Sequence, residues 1–270
     1  MTVSGIPFKM TRPALKRTDG TKNGKISSIK QKIIATDFSS MRLNKLISQA
    51  GLGSKKQADA WIMQNRVTVN GQVASVGQKV NQHDQVLLDG RPVAWSSEVL
   101  LMAYHKPVGV VCTHDLSVAN NLVVSTGLMQ HFSAMGRLDK ASEGLMILTN
   151  QGDLTNHILQ PGFAHEKEYW VEVDQPLTEY FLTNMQQGVE IMGQVTRPCE
   201  IEATGEHCFR IVLTQGLNKQ IRRMCKSLGY RVLRLQRVRI AQVWLDDLPV
   251  NTLRELNDVE KSGLQRLIPR

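Results

Sequence analysis

Short apolar runs, separated by turn-forming residues, recur between residues 100 and 235 and strongly limit the folds open to this chain. Each run is long enough for a strand but short for a helix, and Gly, Pro, Asn or Asp bounds most of them. Because these runs outnumber the helical periods between them, we predict an α+β domain on a mainly antiparallel sheet over residues 99–260. The predicted strands are Leu100–Tyr104, Val108–Thr113, Leu145–Thr149, Tyr169–Val173, Phe209–Leu213 and Val232–Leu235; the predicted helices follow Asp153, span Tyr180–Gln187, and follow Asn218 as far as Gly229.

A second pattern occupies residues 41–91 and predicts a separate small domain of two helices followed by a hairpin sheet. The first helix has apolar residues at helical spacing and ends at a glycine that can adopt a left-handed conformation. The second begins with a capping box, and two strong hairpin signals follow it. The residues that carry these signals are Leu43, Leu46, Ile47, Ala50 and Gly51, then Ser54 and Gln57, then Asn70-Gly71 and Asp89-Gly90. Residues Pro92–Glu98 lose the period, so we predict a linker there.

Positive charge is concentrated at the start of the chain. Of the formal net charge of +9, an excess of six lies in residues 1–40 and an excess of three in residues 41–90, whereas residues 91–270 are balanced. Residues 1–40 show no sustained apolar period, so we expect a basic, disordered tail. Such a distribution suggests a polyanion as partner, because neutralised phosphates release counterions. A solvated basic surface is the alternative.

The cysteines and the hydropathy bear on metal, redox compartment and membrane. Cys112, Cys199, Cys208 and Cys225 include no CxxC pair and have no histidines at zinc-ligand spacing, so we expect no metal site. The sequence contains no signal peptide and no apolar run near the roughly twenty residues that span a bilayer. We therefore expect a cytoplasmic protein without disulfides and without membrane contact.

Three segments carry candidate chemistry. In MGRLDKASEGLMILTNQGDL, Asp139 lies in a loop that leads directly into an apolar strand, although a lone loop aspartate is most often a turn or capping residue. In LTQGLNKQIRRMCKSLGY, an amphipathic helix leaves its basic residues on the outer faces, and further arginines follow as far as Arg239. This stripe suits a phosphate backbone, and an ordinary basic helix face is the alternative. In HEKEYWVEVD, Tyr169 faces either the core or a cleft, where it could stack on a base.

Together these segments resemble the pseudouridine synthases of the ribosomal small-subunit synthase A family (RsuA-like). The resemblance rests on GRLDKASEGLMILTNQG, EKEY, NKQIRRM and HKPVG, the last with Lys106, Pro107 and Gly109. It implies that Asp139, Tyr169 and Arg222 are catalytic. Residues 41–91 are similar to the ribosomal-protein-S4-type RNA-binding module. Within the family, the EKEY and QIRRM segments look most like the branch of the ribosomal large-subunit pseudouridine synthase F.

The resemblance implies isomerisation of a uridine in ribosomal RNA, most specifically in 23S RNA of the large subunit, by a monomer without cofactor or metal. The base must leave the helical stack to react. Asp139 would act as a nucleophile at C1′ or as a base at C2′, with Arg222 as the cation that stabilises its charge. The residues expected to bind RNA are Arg137 beside the active site, Arg42, Lys45, Lys55, Lys56 and Arg66 in the S4-like domain, and Lys219, Arg223 and Lys226 in the basic helix.

Two other functions remain open at this point. A glycosidase needs two carboxylates with distinct roles, and Glu143 and Asp153 lie near Asp139 in sequence. A catalytically silent S4-domain factor for ribosome assembly would keep the RNA-binding residues, but the intact GRLD, EKEY and QIRRM segments argue against it.

Overall fold

The structure, a computed structural model, describes residues 40–94, 100–128, 132–150, 152, 154–155 and 165–267. The tail predicted over residues 1–40 lies outside the described residues apart from residue 40. Most of the predicted linker and most of the helix predicted after Asp153 also lie outside them.

Residues 41–92 form two short helices and a small sheet, as the sequence predicts. Strand β1 pairs with β4, and the remaining strands have the order β3-β2-β5-β6. The capping box is present, because the Ser54 hydroxyl accepts from the Gln57 backbone N–H at 3.2 Å while the Gln57 side chain accepts from Ser54 N at 2.8 Å. The elements are β1 (Met41–Arg42), α1 (Leu43–Gln49), α2 (Lys55–Met63), β2 (Val67–Val69), β3 (Gln72–Val73), β4 (Lys79–Val80), β5 (Val86–Leu88) and β6 (Arg91–Pro92).

The rest of the described chain is built on a nine-stranded sheet with the order β13-β14-β10-β15-β9-β7-β17, to which β8 adds at β9 and β16 at β15. All of these pairings are antiparallel except β9 with β15, so the mainly antiparallel α+β prediction is confirmed. The elements are β7 (Leu101–Lys106), α3 (Leu122–Thr126), β8 (Ser133–Met135), β9 (Glu143–Thr149), β10 (Lys167–Val173), α4 (Glu179–Gln187), β11 (Glu190–Ile191), β12 (Gln194–Val195), β13 (Glu200–Ala203), β14 (Cys208–Leu213), α5 (Gln220–Ser227), β15 (Val232–Ile240), β16 (Val243–Trp244), β17 (Leu253–Glu255) and α6 (Asp258–Arg266).

Strand β9 is buried on both faces, which explains why its sequence is a continuous apolar run. Leu145 and Ile147 join one apolar cluster, and Met146 and Leu148 join another on the opposite face. On the other side of the sheet centre, α4 and α5 cover β10 and β14 with an apolar layer that includes Phe181. Because β9 is covered on both faces it is held firmly, so the loop that precedes it leads into a rigid element.

One predicted strand is wrong. Residues Val108–Thr113 form a turn and an irregular segment, in which Val111 makes an isolated bridge with Asn121. The reason is tertiary: Gly109 has a φ of 94° and its N–H donates to the Lys140 carbonyl at 2.7 Å. The chain therefore turns to support the loop of Asp139, and it does not continue β7.

Candidate active site

The loop of residues 137–142 forms one wall of a cavity of about 490 Å³. Residues 215–221, which lead into α5, form the opposite wall. Four residues that the sequence singled out line this cavity, namely Arg137, Asp139, Tyr169 and Lys219. Of the described residues that line it, Asp139 is the one acid. The fold thus brings together a carboxylate, an aromatic ring and two cations from four separate sequence positions.

The backbone of the Asp139 loop is fixed at several points, both by contacts within the loop and by contacts from a distant segment. Gly136 enters the loop with a φ of 80°, and Ser142 N donates to the Asp139 carbonyl at 3.0 Å. The Cys112 thiol donates to the Leu138 carbonyl at 3.1 Å. Together with the bond from Gly109 to Lys140, these contacts hold Asp139 half-buried in the cavity wall. The loop is therefore preorganised without RNA.

Lys106 is buried completely at the end of β7 and supports the same loop. Its ammonium donates to the Ser142 carbonyl at 2.7 Å and to the Pro107 carbonyl at 2.8 Å. Burial lowers the pKa of Lys106, and the negative charge of the Asp139 carboxylate acts in the opposite direction. The sequence placed Lys106 in a family motif without a role. The feature of the sequence that could have indicated its role is a lysine at the end of an apolar strand, because a buried charge there needs a specific partner.

Arg222 contacts the loop, but not in the predicted way. Its Nη2 donates to the Ala141 carbonyl at 2.9 Å and to the Ser142 hydroxyl at 3.3 Å, and its Nη1 donates to the Val232 carbonyl at 3.2 Å. The described residues contain no ion pair between Arg222 and Asp139, so the predicted direct pairing is wrong for this structure. Helix α5 directs the guanidinium to the C-terminal half of the loop, where carbonyls are the nearest acceptors. Its Nε is buried and finds no hydrogen-bond partner in the described part of the chain.

Tyr169 reconciles the two interpretations that the sequence left open. Its ring is half-buried and packs against both apolar clusters that flank β10, and it also lines the cavity. It lies on β10 directly across from Arg237 of β15 and from Ile211 of β14. The ring is therefore held by the core while one part of it remains available to a ligand.

The basic stripe is shorter than the sequence suggested. Lys219, Arg223 and Lys226 are exposed around α5. Of the arginines that follow in β15 and just before it, Arg237 and Arg239 are held inside the domain, whereas the side chains of Arg231 and Arg234 are paired but stay 77% and 42% exposed. Arg231 pairs with Asp174, Arg234 with Glu143, and Arg239 with Glu166 and Glu168, while Arg237 is buried. Arg231, Arg234 and Arg239 thus pair with carboxylates that lie far from them in sequence, so a count of charges along the chain does not reveal the pairing.

The five basic residues predicted in the S4-like domain lie away from this cavity. Arg42 is exposed at the end of β1. Arg66 pairs with Asp89 at 2.5 Å and lies 5.5 Å from the centre of the Trp61 ring. The other three residues, Lys45, Lys55 and Lys56, line a second cavity of about 330 Å³, whose wall also includes Ser133 and Thr155.

Within the described residues there is no cluster of His, Cys, Asp or Glu that could hold a metal ion, and the four cysteines are unpaired. The described helices include none that is long and apolar enough to cross a bilayer. Glu143, a possible second carboxylate, is paired with Arg234, and Asp153 lies outside the described residues.

Comparison with known proteins agrees with this geometry. A model of the RNA pseudouridylate synthase family matches residues 100–227, and an S4 domain model matches residues 41–93. The dual-specificity RNA pseudouridine synthase RluF of Escherichia coli strain K12 is 44% identical over 232 residues, which cover 85% of this chain and 80% of the relative. Ribosomal large subunit pseudouridine synthase B of Vibrio cholerae is 33% identical over 85% of this chain and 75% of its own length.

A solved structure described as a pseudouridylate synthase superimposes with a TM-score of 0.61 at 27% identity, covering 83% of this chain and 99% of that chain. The sequence similarity to these synthases covers 85% of the chain and therefore includes both the S4 domain and the synthase domain. The structural similarity covers nearly the same share, 83%. The chain therefore belongs to the RNA pseudouridine synthase family and carries an S4 domain.

Proposed function

We propose that this protein converts a uridine of large-subunit ribosomal RNA to pseudouridine and that Asp139 is the group that acts on the ribose. The observation that carries the proposal is the position of Asp139 as the one acid among the described residues lining the 490 Å³ cavity, which Tyr169 also lines. The names of the relatives support the large subunit as the source of the substrate.

The reaction breaks the bond from C1′ of ribose to N1 of uracil, and the same carbon then bonds to C5 of the same base. The hydrogen at C5 is lost as a proton and N1 gains one, so no oxidant or reductant is needed. Asp139 either attacks C1′ or removes the proton at C2′, and both routes need its ionised form. Lys106 and Arg222 place two cations on the loop that carries it.

The base enters the cavity only after it leaves the RNA stack, at a cost of a few kcal/mol that contacts in the cavity must offset. Tyr169 offers a ring face for the uracil. Arg137 is exposed beside Asp139, so it is placed to occupy the space that the base leaves or to hold an adjacent phosphate. Lys219 on the opposite wall is the candidate contact to the backbone.

Asp139→Asn tests the assignment, with Glu143→Gln as the matched control. Both changes remove one carboxylate from the same short segment, but Glu143 pairs with Arg234 and does not line the cavity. We expect Asp139→Asn to abolish pseudouridine formation while RNA affinity stays within about twofold, and Glu143→Gln to keep the reaction. Full modification by Asp139→Asn would refute the catalytic role. Loss with both variants would instead favour a mechanism with two carboxylates.

Mapping of pseudouridine across all stable RNAs, in cells with and without the gene, tests the substrate. We expect a site in large-subunit ribosomal RNA to disappear. A missing site confined to small-subunit RNA or to transfer RNA would refute the proposed substrate and leave the reaction intact. We further propose that the protein acts as a monomer, which sedimentation of the purified chain checks directly.

A further inference from the structure

Arg237 makes an unusual set of contacts at the centre of the synthase sheet. It lies on β15 and its side chain is almost completely buried, at 1% exposure. Its Nε donates to the Leu145 carbonyl at 2.7 Å, and its Nη2 donates to the Gly136 carbonyl at 3.1 Å. Gly136 precedes the Asp139 loop and Leu145 follows it. A single guanidinium therefore bridges the two ends of the loop.

The chemistry of this position argues against a merely structural arginine. A buried cation carries a desolvation cost that an apolar side chain would not. The neighbouring Arg234 and Arg239 offset theirs with carboxylates, whereas Arg237 makes no ion pair with any described residue. Its contacts are two backbone carbonyls, and both belong to segments that flank the loop. The planar guanidinium presents its donors on separate nitrogens in fixed directions, whereas a lysine offers a single nitrogen on a flexible stem.

The backbone at this point is arranged so that the guanidinium can reach both carbonyls. Arg237 is the parallel partner of Gly144, which has a φ of 111°. A methyl group at Gly144 would overlap the Arg237 carbonyl oxygen, so β9 and β15 approach closely only because the residue is glycine. On its other side, Arg237 is the antiparallel partner of Tyr169.

We propose that Arg237 is a positioning residue that sets the place of Asp139 relative to Tyr169. Its backbone is in register with Tyr169 on β10, and its side chain holds both ends of the loop that carries Asp139. One residue thus connects the two walls that contribute the proposed nucleophile or base and the proposed stacking ring. The inference rests on the proposed function, because it assigns a geometric role within the same site.

Arg237→Lys is the test, with Arg239→Lys as the matched control. Both arginines lie on β15 and are largely buried, but Arg239 contacts Glu166 and Glu168 and not the loop. For each variant we would measure the thermal midpoint, the Kd for RNA, and the single-turnover rate at saturating RNA. We expect Arg237→Lys to lower that rate about 10- to 100-fold with the Kd changed less than about twofold, since small displacements of reacting groups have effects of this size. Arg239→Lys should keep the rate within about threefold.

Each alternative outcome overturns the proposal in a distinct way. A folded Arg237→Lys with the wild-type rate shows that the bridge does not matter for Asp139. An equal loss of rate in both variants indicates general loosening of β15. Failure of Arg237→Lys to fold, while Arg239→Lys folds, assigns Arg237 to stability alone. A wild-type protein that forms no pseudouridine refutes the proposed function itself, and this result is separate from the other three.

Discussion

Replacement of Arg222 by lysine probes how much the catalytic loop depends on a single guanidinium. Arg222 donates from Nη2 to Ala141 and Ser142 and from Nη1 to Val232. A lysine keeps the charge but has a single nitrogen, whereas Arg222 reaches β15 with Nη1 and the loop with Nη2. Val232 lies only a few residues after the end of α5. We therefore expect the lysine to keep its contact with the Val232 carbonyl and to lose its contacts with the loop.

The magnitude follows from the hydrogen bonds that the lysine cannot make. A hydrogen bond to a charged group contributes about 1.5 to 3 kcal/mol when it is removed from a protected site. The Ala141 carbonyl lies in an exposed residue, so water can replace part of its contact. We therefore expect a loss of about 1.5 to 3 kcal/mol in all from the preorganisation of Asp139, which corresponds to roughly a 10- to 150-fold lower single-turnover rate. Global stability should fall by no more than the same amount, because the lost bonds belong to the folded state.

Arg223→Lys is the matched control, because it makes the same change one residue further along α5. Arg223 is exposed and donates only locally among the described residues, to the carbonyl and the side chain of Asn218. The rate can be followed by release of tritium from C5 of the target uridine, since that hydrogen is lost in the reaction. Single-turnover conditions separate the chemical step from RNA binding.

The reasoning would be refuted if Arg222→Lys kept the wild-type rate, or if it lost no more rate than Arg223→Lys. A large rise in Kd for RNA with an unchanged rate would also contradict it, because Arg222 would then bind substrate and not support the loop. A rate lowered in both variants by the same factor would point to electrostatic attraction of RNA by α5 as a whole.

Two further predictions follow from the distribution of charge and from burial. Removal of residues 1–90 should raise the KM and change the single-turnover rate much less. The slope of log affinity against log salt should become flatter by about 0.7 to 0.9 for each phosphate that the shortened protein no longer neutralises. Loss of the chemical step at normal RNA affinity would contradict the assignment of residues 1–90 to RNA binding. Burial raises the pKa of Cys199 to about 11 and of Cys225 to about 12. At pH 8 the thiolate fractions of Cys199 and Cys225 are therefore about 10⁻³ and 10⁻⁴. Alkylation followed by mass spectrometry should show that both thiols react far more slowly in the native protein than in urea, and that their rates increase about tenfold with each unit of pH increase as long as the pH is below the pKa. Equal rates in native and unfolded protein would contradict this prediction.

The sequence alone predicted the elements whose stability is local. The capping box at Ser54, the hairpins at Asn70-Gly71 and Asp89-Gly90, and the amphipathic helix before Gly229 all rest on bonds or spacings within a few residues. Asp139 and Tyr169 were singled out through the resemblance of the GRLD and EKEY segments to a known family; both line the same cavity, and their catalytic roles stay predictions.

The tertiary structure alone decided where the charges and the loop contacts lie. The residues around Val108–Thr113 give no sign that the Gly109 N–H donates to the Lys140 carbonyl. The apolar run was therefore predicted to be a strand, which is wrong. Likewise, the acids that neutralise Arg234 and Arg239 lie on neighbouring strands and not beside them in sequence. The parallel pairing of β9 with β15, which brings Arg237 to both ends of the Asp139 loop, joins residues more than ninety positions apart. Contacts of that kind depend on sheet order and register, which a linear pattern of apolar residues does not specify.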